Sequence, residues 1–221
     1  MLLTETIKNS TSVIKKRRAT IESKQHADTY AKALVQLTQT VENIKGILNC
    51  AIAMKGSGII STPIMDEATR SDLLACINDC GNGISEMKLT LEAVRLLKSK
   101  GDAVSTQVKI VWRDASLKYS EGSKGYLSMI GSLSNDPKRA KDLTDNIAKT
   151  VAGDPSIKAV KSLVSDVAEA KQITDEFSLN PEIEDFLKKV SVQQATVFDL
   201  TPSILAWLKE KNLTNKLKIR F

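Results

Sequence analysis

A single histidine, three cysteines, five prolines and an aromatic share of 4% are what this chain has least of, and each scarcity narrows the chemistry open to it. His26 lies in a polar stretch with no neighbour that would complete a nucleophile–base pair, so it reads as a surface residue. Cys50, Cys76 and Cys80 form an odd set without the spacing of a disulfide framework. Cys76 and Cys80, four apart, share a helical face as two metal ligands would, yet a structural zinc site needs two more ligands at similar depth. In an antiparallel helical hairpin Cys50 falls opposite residue 70 and His26 opposite residue 94, so neither completes the set. No metal and no cofactor is expected, and Cys80 on its apolar seam reads as a small core thiol.

Phosphate-loop chemistry is missing too. "KGSGIIS" at 55–61 and "EGSKGYLS" at 121–128 hold glycines, but neither has the GxxxxGK[ST] order after a strand that lets backbone amides and a lysine cradle phosphates. Both are expected to be connectors. Glu182 and Glu184 sit on a short helix without the apolar surroundings that would tune one of them as an acid. The chain is therefore expected not to be an enzyme. No run approaches the roughly 18 to 20 apolar residues of a membrane span, so no integral membrane segment is expected. The N-terminus lacks a basic region followed by an apolar stretch and a small-residue cleavage site, which predicts a cytoplasmic protein with reduced thiols.

What is plentiful is aliphatic and helix-forming. With 42% hydrophobic residues over 221 positions, the chain can bury a core, and its wealth of Leu, Ile, Val, Ala and Lys predicts an all-α fold. From Leu3 to about Met54 there is no proline and no glycine before Gly46. Ile7, Ile14 and Ile21 repeat every seven residues, and Tyr30, Leu34, Leu37, Val41, Ile44, Leu48 and Ile52 follow by threes and fours. This is one long helix, or two with a weak joint near 24–28. After a loop, "KGSGIISTPIM", a second seam runs through Leu73, Ile77, Cys80, Ile84, Met87, Leu91 and Val94, and on to Val108, Trp112 and Ala115. Its phase survives "CGNG" at 80–83, which predicts a soft but continuous helix. The two matched segments predict a long, coiled-coil-like antiparallel hairpin over 1–120.

Residues 121–221 are punctuated into shorter units, predicting a bundle of short helices packed on or beside the hairpin. Asp136-Pro137, Asp154-Pro155, Asn180-Pro181 and Thr201-Pro202 read as cap-plus-proline helix starts, and Gly153 as a stop. The last helix carries Trp207 at the edge of its apolar stripe. Beyond it Leu217, Ile219 and Phe221 alternate with Lys216, Lys218 and Arg220 in the period-two pattern of a strand. Such a tail either straps its own bundle or joins a partner's sheet.

The functional expectation is a non-catalytic scaffold or accessory subunit in a larger assembly, such as a bacterial multi-gene phage-defence system. Its partner would be another protein subunit or a second copy, met through Trp207, Leu213, Leu217, Ile219 and Phe221. The net charge of +6 is spread over 32 basic and 26 acidic residues, a mixed surface that attracts anions only modestly. A nucleic-acid-binding accessory protein is the alternative, using Lys15, Lys16, Arg17 and Arg18 in "IKKRR". A third reading is a membrane-remodelling or pore-forming hairpin with "GSGIISTPIM" as the inserting tip.

Overall fold

The computed structural model describes residues 2–133, 136–177, 179–191 and 194–215, with side chains from residue 13 onward except at 132 and 191. Among these residues the fold is all-α. Seven helices follow in order: α1 Leu2–Gly56, α2 Glu67–Ser85, α3 Leu91–Ile130, α4 Pro137–Ala152, α5 Ile157–Asp175, α6 Pro181–Ser191 and α7 Pro202–Glu210. Single 3-10 turns occupy Gly131–Leu133 and Val197–Asp199. α1 passes through 24–28 without a joint, as expected where no glycine or proline interrupts it.

Three boundaries differ from the sequence reading. The second seam is two helices, and the break falls after "CGNG", which is itself helical. Lys88 N–H donates to Gly83 O at 2.8 Å and Met87 N–H to Ile84 O at 3.1 Å, with Met87 at φ 56°. That pairing is a Schellman stop whose left-handed position is held by methionine instead of glycine. Gly83 suits this close turn, because a Cβ there would lie 3.1 Å from Leu89 Cα, tighter than ordinary contact. Thr90 then restarts the chain, its Oγ1 accepting from Ala93 N–H at 3.1 Å. Ile84, Met87, Leu91 and Val94 stay in helical phase across the break, which hides it in the sequence.

The second difference is at "EGSKGYLS", which is part of α3 and no connector. Leu127 and Ile130 are buried, and that anchorage outweighs the roughly 1 kcal/mol each that Gly122 and Gly125 cost a helix. The third is at α5, capped by Ser156, whose hydroxyl accepts from Ala159 N–H at 3.0 Å. Asp154-Pro155 lies just outside it. Asp136 and Thr201 do cap their helices, Gly153 does close α4, and Asn180 accepts from Ile183 N–H at 2.9 Å.

The chain divides into two compact units, Met1–Leu48 with Pro63–Gln107, and Asn49–Thr62 with Val108–Phe221. A hairpin-to-bundle boundary at 120 would cut through α3. In the first unit Leu37, Thr40 and Ile44 of α1 are buried with Leu73, Cys76 and Cys80 of α2 and Val94, Leu97 and Val104 of α3. α1 and α3 approach closely at Gly101, where a Cβ would fall 2.7 Å from Ile44 Cγ1. The seam is shifted from the one expected: Val41 is 44% exposed, whereas Thr40 is buried with its hydroxyl donating to Gln36 O at 2.8 Å.

In the second unit Cys50 and Met54 from the end of α1 are buried, as are Val108 and Trp112 of α3 and the stripe Ala140, Leu143, Ile147 and Val151 of α4. Trp112 Nε1–H donates to Gly153 O at 3.2 Å, and Arg139 pairs with Glu169 of α5 at 2.7 Å. A further apolar cluster joins Ile130 and Phe177 to Ile183, Phe186 and Leu187 of α6 and Ile204, Trp207, Leu208 and Leu213. Burying each large aliphatic or aromatic side chain contributes about 1.5 to 3 kcal/mol before ordering costs.

Candidate functional site

The first candidate lies on α1. From Val13 to Thr29 every side chain is exposed, and the first buried one is Ala33. No other element of the described chain covers this stretch. Its cations Lys15, Lys16, Arg17 and Arg18 make no ion pair among the described residues. Val13, Ile14 and Ile21 remain 51 to 56% exposed. Thr20 and Thr29 turn their hydroxyls back to Lys16 O and Gln25 O, each at 2.9 Å, so these hydroxyls are used within the helix instead of reaching across to a neighbour. An isolated helix of this length is marginal in water; this one is propagated from the packed half of α1. His26 sits in the same exposed stretch.

The C-terminal candidates fare differently. Trp207 and Leu213 are core residues, 5% and 2% exposed. The indole N–H of Trp207 donates to Phe177 O at 2.8 Å, and Leu213 N–H to Leu208 O at 2.8 Å, closing α7 with Asn212 at φ 55°. These contacts use both residues inside the chain. Leu217, Ile219 and Phe221 lie outside the described residues.

Cys50, Cys76 and Cys80 are all buried free thiols. Burial raises the pKa of Cys50 and, with smaller contributions from Cys76 and Asp79, that of Cys80, which keeps these two as neutral thiols at pH 7. Among the described residues no group of three or more His, Cys, Asp or Glu side chains converges as a metal site would. Likewise no helix is long and apolar enough to cross a membrane. In the loop read as an insertion tip, Ile59 and Ile60 are buried. Glu182 accepts from Thr201 Oγ1–H at 2.6 Å, and Glu184 from the Tyr126 hydroxyl at 3.1 Å.

Two features were not foreseen. One is a cleft of about 580 Å³ within the second unit, lined from α3 by Lys118, Tyr119, Gly122, Ser123 and Tyr126, and from α5, α6 and the chain between them by Lys171, Thr174, Asp175, Leu179 and Glu184. The hydrogen bond to Glu184 raises the pKa of Tyr126, so its phenol stays protonated at neutral pH. The other is the turn Val197–Asp199, where Phe198 stands 98% exposed. Asp199 braces that turn through Lys189 Nζ at 2.5 Å and the backbone N–H and hydroxyl of Thr196 at 2.8 and 2.9 Å. A signal for the cleft was present in the spacing Tyr119, Gly122, Tyr126, which puts a bare helical turn between two rings on one face. No protein-family model, curated protein or solved structure matches this chain.

Proposed function

We propose that this protein is a non-catalytic helical scaffold, an accessory subunit that binds a second protein along residues 13–29 of α1. The observation that supports it is the complete exposure of that stretch. Two full turns apart, Ile14 and Ile21 mark one edge of it, and a partner helix laid along that edge would cover them as knobs at heptad spacing. The four cations beside them favour a partner with acidic residues flanking its apolar stripe.

The test compares the full chain with one lacking residues 2–25, both tagged at the native locus. The truncated chain is expected to keep its melting temperature, since none of the described side chains removed is buried, and to lose its stoichiometric protein partner. A partner retained by the truncated chain would overturn the proposal. A second reading, nucleic-acid binding, rests on the run Lys15 to Arg18, which makes no ion pair among the described residues. It requires affinity for duplex DNA or RNA that falls steeply with salt, with a shallower slope once the four cations are replaced by alanine. We expect only weak binding that vanishes near physiological salt.

A further inference from the structure

We infer that the cleft between α3, α5 and α6 is a small-molecule site for a nucleoside monophosphate, independent of the α1 surface. Tyr119 and Tyr126 are seven residues apart and so stand on one helical face, their Cα atoms about 10 Å apart at 1.5 Å per residue. Between them on that face is Gly122, and an added Cβ there would meet nothing within 4 Å. No close packing demands glycine at this position. The missing side chain leaves a slot between two rings with backbone as its floor, and all three residues line the same cleft. Such a slot suits a planar aromatic group, because base–aromatic stacking needs faces and not a particular hydrogen-bond code.

The polar lining sets the rest of the ligand. Lys118 and Lys171 come from different helices to the same cleft, and among the described residues neither forms an ion pair, although Asp175 and Glu184 line it too. Two such ammonium groups at the border of an aromatic slot suit a phosphate. The carboxylates of Asp175 and Glu184 are acceptors for the hydroxyls of a sugar joining the two ends. Glu184 is held in place by the Tyr126 hydroxyl at 3.1 Å. A volume of about 580 Å³ lies within the range of small-ligand pockets, about 300 to 1,000 Å³. The ligand chemistry is therefore a stacked ring and an anion, joined by a hydroxylated linker.

The experiment is calorimetric titration of the full chain with AMP, GMP, CMP and UMP, and with adenosine and ribose 5-phosphate as the two halves of one of them. At least one nucleotide should bind with a Kd of about 10 to 100 µM, and each half at least about tenfold more weakly. Lys118→Ala and Lys171→Ala should each weaken the nucleotide by about tenfold while leaving adenosine unchanged. Gly122→Leu should abolish binding by filling the slot. Its melting temperature should hold or rise, because leucine is the better helix former and nothing near Gly122 obstructs it. Absence of binding by all four nucleotides at about 1 mM, or equal binding to Gly122→Leu, would overturn the assignment.

Discussion

At the scale of single residues, the core is selected by closeness of approach as much as by hydrophobicity. The stripe Ala140, Leu143, Ile147 and Val151 was legible because α4 buries the apolar residues that its spacing displays. In α1 and α3 the sequence put large residues on the seam, but α1 buries Thr40 and the two helices approach closely where Gly101 faces Ile44, small positions that an apolar count passes over. This supports a paired prediction. Gly101→Ala should destabilise the protein by about 1 to 2 kcal/mol in chemical denaturation, because its methyl group would overlap Ile44. Gly81→Ala, where a Cβ would meet nothing within 4 Å, should stabilise it by up to about 1 kcal/mol.

Asp199 supplies a residue-scale prediction about pH. Its hydrogen bond to Lys189, followed by those to Thr196, lowers its pKa to about 2, against about 3.9 in an unfolded chain. A carboxyl depressed in the folded state stabilises that state above the unfolded pKa, and the contribution is lost as pH falls through the folded pKa. Asp199→Asn should therefore melt lower than the parent at pH 7, and the gap should close as pH falls from about 4 towards 2. A gap independent of pH would mean that the carboxylate charge is not what braces the turn under Phe198.

At the scale of elements, helix ends decide the architecture. α1, α2 and α7 close with the same pair of hydrogen bonds around a left-handed residue: Gly58, Met87 and Asn212. Glycine and asparagine are ordinary there, whereas methionine is not. That is why the α2–α3 break escaped a reading based on glycine, proline and phase, while the loop after Gly56 did not. Since Met87 is 75% exposed, its side chain contributes little packing. Met87→Gly should raise stability by about 0.5 to 1 kcal/mol by removing left-handed strain, as read from a urea midpoint at constant m-value. Of the cleft, only the α3 wall was legible, in the spacing Tyr119, Gly122, Tyr126; its other walls come from α5 and α6, whose juxtaposition with α3 no local pattern encodes.

At the scale of the whole molecule, α1 and α3 each contribute to two compact units. The all-α class was plain from composition and periodicity. The basic turn at 15–18 was legible as charge, but its helix also leaves every side chain from Val13 to Thr29 uncovered, because the packed part of α1 begins at Ala33. Trp207 shows the converse. An aromatic residue at a stripe edge suits a core margin or an interface anchor equally, and here it is the core that takes it, through Phe177 O.

The claim that residues 13–29 form a protein-binding surface is tested most directly by site-specific photo-crosslinking in native cells, with benzoylphenylalanine placed singly at positions 14, 21 and 110. Ile110 is a control as exposed as the other two, at 59%. The account predicts one discrete protein adduct shared by positions 14 and 21 and absent at 110. No protein adduct at 14 and 21, or the same adduct at all three positions, would contradict it.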